Sequence, residues 1–197
     1  MFKRLWFYIL KRYNKQKYYS LIFNKYSFDS RIINPLMIEG AENISIGKNV
    51  LIQSNTRLAA VPLTGEKICQ LIIDDDVYIG CFNHIFATKS IIIEKDVLIA
   101  DRVYISDNIH DYTNPLIPIK NQKIIQKKEV VIGSGCWIGE NVSIIGASVG
   151  KNSVVGANSV VLKDIPDYSV AAGIPAKIIK YYDFGTSKWE RYKDGNK

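Results

Sequence analysis

Residues 130–161 read VVIGSGCWIGENVSIIGASVGKNSVVGANSVV. An aliphatic residue followed by glycine returns at Ile132–Gly133, Ile138–Gly139, Val149–Gly150 and Val155–Gly156. The aliphatic positions that open each unit are Ile132, Ile138, Ile144, Val149, Val155 and Val161, six residues apart except for one step of five. The same spacing runs back through Ile105, Ile99, Ile93, Ile85, Ile79 and Ile73, with one step of eight, and through Leu58, Ile52 and Ile46. A six-residue period fits neither the 3.6 of a helix nor the alternation of an ordinary strand. It fits short strands joined by tight corners and stacked as a solenoid.

The unit Ile138–Ser143, IGENVS, shows the physics. Ile138 points inward; Gly139 permits a close backbone approach that a Cβ would oppose. Asn141 suits a corner because Asn tolerates left-handed geometry. Three units close a triangular turn of roughly 18 residues, and each turn hydrogen-bonds to the next at about 4.8 Å. The shortened step at IIGASVG predicts a local distortion of the wall near Gly146.

A chain of 197 residues with 47% hydrophobic content is expected to form one domain with a sizeable core. No apolar run approaches the ~18 residues of a membrane span. The opening MFKRLWFYILKRYNKQ does not read as a signal peptide, because its apolar stretch is short and no small-residue cleavage site follows. Cys69, Cys81 and Cys136 have no CxxC spacing, which predicts reduced thiols and a cytoplasmic protein. The net charge of +7 sits at one end: residues 1–31 hold eight Lys and Arg against Asp29 alone, and the rest balances. That segment is also rich in Phe, Tyr and Trp. It reads as a basic aromatic helix, either packed on the body by its aromatic face or lying on an anionic membrane. A balanced body argues against nucleic acid as a partner.

The repeat resembles the hexapeptide-repeat acyltransferases over residues 35–181. The resemblance implies an all-β fold, a left-handed parallel β-helix solenoid with an N-terminal helical segment and a C-terminal cap. The left hand comes from the resemblance and not from the spacing. The expected organisation is a helical segment at 1–33, a β-helix catalytic domain at 34–181 with an excursion loop at 107–130, and a tail at 182–197.

Excursions from a solenoid are where function can sit without disturbing the core. After Ile105 the next unit would open near residue 111, yet it opens at Ile132, and SDNIHDYTNPLIPIKNQKIIQKKEV leaves the coil between them. It carries His110, one of two histidines. A lone histidine is often only a structural hydrogen-bonder, but an imidazole at the mouth of an excursion suits general-base work near neutral pH. ISDNIHDYTNPLIPI resembles the loop of the maltose, galactoside, xenobiotic and polysaccharide O-acetyltransferases. In those a histidine removes the proton of the acceptor hydroxyl, and that role falls on His110. Many relatives show SDHxH; here Asn108 takes the first histidine's position and cannot act as a base. Asn108 is expected to hydrogen-bond the acceptor sugar or to orient the loop; Asp107 is expected at the acceptor, and either Asp107 or Asp111 to orient His110. AAVPLTGEKICQL (59–71) is a second excursion, either covering part of an acceptor site or touching a neighbouring subunit. His84 and Asn83 occupy a corner. Counting coils stacks His84 under Tyr104 and not under His110, so any meeting of the two histidines at substrate would be across a subunit boundary.

The segments GCWIGENV and VGANSVVLKDIPDYSVAAGIPAKIIKYYDF also resemble the family. There acyl-CoA lies along the wall between two subunits of a homotrimer. The resemblance places Trp137 beside the thioester end, Gly139 and Ala157 along the pantetheine arm, and Lys163 and Lys177 at the CoA phosphates, with Pro175 shaping that loop. Surface packing and solvated charge are the plain alternatives for Trp137 and the lysines. The function implied is acetyl-CoA-dependent O-acetylation of a sugar hydroxyl by direct transfer, in a bacterial capsule or lipopolysaccharide O-antigen precursor at the inner face of the membrane. No cysteine nucleophile and no metal are required. The alternatives are N-acetylation of a nucleotide-linked amino sugar and a non-catalytic β-solenoid scaffold. Carbonic anhydrase shares the fold, but its zinc takes three histidines and this chain has two.

Overall fold

The computed structural model describes residues 14–192. The chain winds through three parallel walls in a fixed order. The first wall stacks Lys25–Tyr26, Ile44–Ile46, Gln70–Ile73, Ser90–Ile93 and Val130–Ile132. The second stacks Arg31–Ile32, Leu51–Ile52, Tyr78–Ile79, Leu98–Ile99, Trp137–Ile138, Val154–Val155 and Ser169–Gly173. The third stacks Met37–Glu39, Arg57–Ala60, His84–Ala87, Tyr104–Ser106, Ser143–Ile145 and Val160–Val161.

Every aliphatic position singled out by the spacing lies in the interior, at most 1% exposed. They form columns. On the second wall Ile52, Ile79, Ile99, Ile138, Val155 and Ala171 follow one another in register. Each such side chain contributes about 1.5–3 kcal/mol by leaving water. The corners turn through left-handed residues, mostly Asn and Asp: Asn49, Asn55, Asp76, Asp96, Asn141, Asn152 and Asn158 have φ between 51° and 62°. These side chains tolerate that geometry best after glycine. At the shortened step Gly146 takes φ 56°. Beyond it the first wall continues only as single bridges, Ile132 to Val149 and Val149 to Ile165.

Residues 14–22 are helical. Gln16, Tyr19 and Phe23 face inward and, with Tyr26, cover the first coil. The coil begins at Lys25–Tyr26, which pairs with Ser45–Ile46. The β-helix therefore starts ahead of residue 34, because Tyr26 and Ile32 already supply inward-pointing side chains. Residues 1–13, with half of the segment's basic side chains, lie outside the described residues. At the other end Ser169–Gly173 is joined by Ala176–Asp183 and Lys188–Arg191, both antiparallel, so the terminal extension is a β-meander that begins before residue 182.

Candidate active site

Both excursions leave the prism from one edge, between the third and first walls. Residues 61–69 leave after Arg57–Ala60, and 107–129 leave after Tyr104–Ser106. Only the short corner at Thr88 and Lys89 separates them. In a three-walled prism that edge is opposite the second wall.

The larger excursion is a hairpin. Asn108–His110 pairs antiparallel with Ile124–Gln126, and His110 lies opposite Ile124. Asp111 extends the pairing by donating its N–H to the Lys123 carbonyl at 2.9 Å. His110 is exposed at the outer end of its strand. Its neighbour Asp107 is the reverse, fully buried. Asp107 Oδ1 accepts from the Thr88 N–H at 2.8 Å, Thr88 Oγ1 at 2.9 Å and Asn108 Nδ2 at 3.0 Å. Asp107 Oδ2 accepts from the N–H groups of Lys89 at 2.8 Å and Ser90 at 2.9 Å. This corrects the expected acceptor contact of Asp107, since a sealed carboxylate with five donors meets no substrate, and leaves it an orienting role. Asn108 loses the acceptor contact on the same ground, and its bonds fit the other expectation, orienting the loop. It is 6% exposed and donates to Asp107 and to the Phe86 carbonyl.

Asn83 is also a structural corner residue. It donates to the carbonyls of Gly80 at 2.8 Å and Ala100 at 3.0 Å, and accepts from the Val103 N–H at 2.7 Å. At 1% exposed it offers nothing to a ligand. His84 does lie beside Tyr104 in register, as the coil count predicts, and on the other side faces Arg57. Its ring stands edge-on to Tyr104 with centroids 5.3 Å apart and is stacked on Phe86 at 6.2 Å. Its Nε2 is buried without a hydrogen-bond partner. Burial, then the Arg57 charge, holds its pKa below the ordinary histidine value, with Glu39 opposing. His84 is thus a neutral imidazole in an aromatic setting on the third wall.

Trp137 projects from the second wall, 51% exposed, in register with Leu98 and Tyr78, which are also exposed. Gly139 is buried, and an added Cβ would lie 2.6 Å from the Ala157 nitrogen. Close stacking on the next coil, the approach expected from the repeat, accounts for this glycine without a cofactor. Ala157 and Pro175 are exposed near one edge, between the second and third walls, with Lys177 opposite Ala172. Lys163 is not with them. It follows Val160–Val161 and lies at the edge from which the excursions leave.

A cleft of about 420 Å³ lies between the two excursions, lined in part by Glu66, Gln70, Lys89, Ser90 and Glu129. Lys89 Nζ stands 3.6 Å from Glu66 and 3.4 Å from Glu129. Sequence reading missed this cleft, because the two glutamates come from separate loops with no common spacing. The thiols are unsuited to attack. Burial pushes Cys69 up to about 12 and Cys136 up to about 11. Among the described residues no three His, Cys, Asp or Glu side chains gather as a metal site.

Known proteins resemble this chain along most of its length. The sequence pattern of the family described as "Hexapeptide repeat of succinyl-transferase" matches residues 129–163. WbbJ of Escherichia coli (strain K12), assigned as an O-acetyl transferase of lipopolysaccharide biosynthesis, is 37% identical over 170 residues, 82% of this chain and 84% of WbbJ. A maltose O-acetyltransferase of Clostridium difficile 630 superposes with a TM-score of 0.55 at 25% identity, covering 84% of this chain and 73% of that one. AntD of Bacillus cereus, an N-acyltransferase solved with dTDP-4-amino-4,6-dideoxyglucose and coenzyme A, superposes with a TM-score of 0.69 at 20% identity, covering 87% of this chain and 91% of AntD. The common fold is the left-handed parallel β-helix.

Proposed function

This chain belongs to the hexapeptide-repeat acyltransferases, and from that membership we propose that it transfers the acetyl group of acetyl-CoA to a sugar hydroxyl. The observation that carries the reading is the contrast between the two histidines. His84 is desolvated and wedged between side chains; His110 is exposed at the end of a strand rooted in the coil. In this mechanism His110 takes the proton of the acceptor hydroxyl, and the freed oxygen attacks the thioester carbonyl. The C–S bond breaks, and the proton on His110 goes to the departing thiolate. Backbone N–H groups are the natural donors to the developing oxyanion.

The acetyl-CoA reading rests on Trp137 and the small exposed corner at Ala157, with Pro175 and Lys177 beside it. His110 leaves the edge opposite Trp137's wall, so one chain does not gather the whole set. A homotrimer in which a neighbour's hairpin reaches this wall would complete it, and Lys163 would then enter from the neighbour. The similarity to WbbJ favours a surface-polysaccharide precursor as acceptor, handled at the cytoplasmic face of the inner membrane. Tyr18 and Leu21 point outward from the helical residues beside Lys17, which suits contact with anionic lipid. Among the described residues no helix is long and apolar enough to cross a membrane. Absence of sedimentation with anionic vesicles at low salt would remove the membrane contact.

Calorimetric titration with acetyl-CoA tests the reading first. The wild type is expected to bind at micromolar Kd and Trp137→Ala about tenfold more weakly, the loss of roughly 1.4 kcal/mol of aromatic contact. Thiol release against a sugar panel, with His110→Ala reduced by about 100-fold or more, tests the base. A folded wild type that binds no acetyl-CoA would sink the proposal.

A further inference from the structure

The hairpin that carries His110 has three residue pairs, extended by the single Asp111–Lys123 backbone bond. A two-stranded ribbon of that length is not stable alone in water. Its geometry must be imposed at its root, and the root is built with unusual care. Asp107 binds three successive backbone N–H groups, those of Thr88, Lys89 and Ser90, with both carboxylate oxygens engaged. From the returning strand, Gln126 Nε2 donates to the Asp107 carbonyl at 2.8 Å, and the Lys127 N–H donates to the same oxygen at 2.8 Å. Gln126 Oε1 lies 2.8 Å from Thr64 Oγ1 and 2.9 Å from Thr88 Oγ1. The Thr88 hydroxyl has one proton for two acceptors, Asp107 Oδ1 and Gln126 Oε1, while Thr64 has its proton free for Gln126. One amide side chain thus joins both strands' root, the corner between the excursions, and the smaller excursion.

We infer that Gln126 and Asp107 are positioning residues. They set the hairpin against the coil and lock the 61–69 excursion to it, so that His110 is presented in one orientation. The inference rests on the reading of His110 as the base. It assigns a role to two residues from separate stretches of chain, the outgoing and the returning strand. The carboxylate bonds of Asp107 are charge-assisted and largely buried, and a network joined to them is costly to leave half made. A shift of about 1 Å in a catalytic group is enough to lower turnover by roughly 100-fold.

The test uses the full chain and the variants Gln126→Ala, Thr88→Val and Thr88→Ser. Hydrogen–deuterium exchange of the 107–127 peptide needs no acceptor. It is expected to speed up about tenfold or more in Gln126→Ala and Thr88→Val, with coil peptides such as 91–105 unchanged, because local opening is measured separately from global unfolding. Thr88→Ser, which retains the hydroxyl, is expected to behave as wild type. In thiol-release assays with the best methyl glycoside of a panel, kcat is expected to fall about 100-fold while the calorimetric Kd for acetyl-CoA stays within about twofold. Unchanged exchange in Gln126→Ala would overturn the lock. Faster exchange with kcat intact would overturn the positioning role. Full activity in His110→Ala would instead overturn the functional reading on which the inference rests.

Discussion

His84 lies between Arg57 and Tyr104 on the third wall, and its environment sets how the molecule responds to acid. Its folded pKa is lowered, first by burial and then by Arg57. Above the ordinary histidine pKa of about 6.5, folded and unfolded chains are both neutral at this site, and it contributes no pH dependence. As the pH falls through that value, the unfolded chain takes up a proton first. Stability is then lost until the folded pKa is passed. Thermal unfolding at pH 7.5 and pH 5.0 should therefore show a larger drop for wild type than for His84→Gln. Equal drops would mean that the ring is not desolvated. The carboxylates held below their usual range, Asp29, Asp111 and Asp164, act only at lower pH, as hydrogen bonds from Ser27, Thr113 and Lys128 dictate. Asp107 and Asn83 show what residue identity conceals. A polar side chain next to a candidate base reads as a ligand contact. Here the unmet need is internal, three corner N–H groups for Asp107 and two carbonyls with one N–H for Asn83. Nothing in a linear sequence states which backbone groups a fold will leave unpaired.

The coil is legible because its signal repeats. One inward aliphatic per strand, at a fixed step, survives variation at any single position, and each of the marked positions is buried. The hairpin was not legible as a hairpin. Asn108–His110 and Ile124–Gln126 are too short to show alternation, and their pairing depends on Asp107 and Gln126 fixing the ends. The same logic separates the glycines that the coil requires from those a ligand would require. A Cβ on Gly139 would sit 2.6 Å from the Ala157 nitrogen and 2.8 Å from the Val155 carbonyl oxygen. Both are backbone atoms within the wall and have little room to yield. Gly139→Ala is expected to cost about 1–3 kcal/mol, as overpacking does. Urea unfolding, with the slope unchanged and the midpoint lowered, would register it. A variant as stable as wild type that had lost acetyl-CoA binding would instead return Gly139 to the cofactor surface.

Among the described residues, both ends of the coil are covered and an apolar column stands exposed on the second wall. Tyr19, Phe23 and Tyr26 close the first coil, and the antiparallel strands Ala176–Asp183 and Lys188–Arg191 follow the last. Between them Tyr78, Leu98 and Trp137 stand outward in register along the second wall. His110 leaves from the edge opposite this column, so the proposed chemistry needs the hairpin of one copy at the wall of another. That requirement separates a shared site from a site made within one chain. Two variants, the inactive His110→Ala and the weakly binding Trp137→Ala, should complement when co-expressed and assayed at low acetyl-CoA. In a randomly mixed trimer, a site needs a Trp137→Ala chain to give His110 and a His110→Ala chain to give Trp137, so about a quarter of sites are intact by the arithmetic of a cyclic assembly. Thiol release at low acetyl-CoA should recover to about that fraction of wild type. Mixed assemblies no more active than the average of the two parents would confine the site to one chain, or to a pair of residues that never meet. Recovery would set the oligomer as the functional unit and explain why neither histidine nor tryptophan suffices on its own wall.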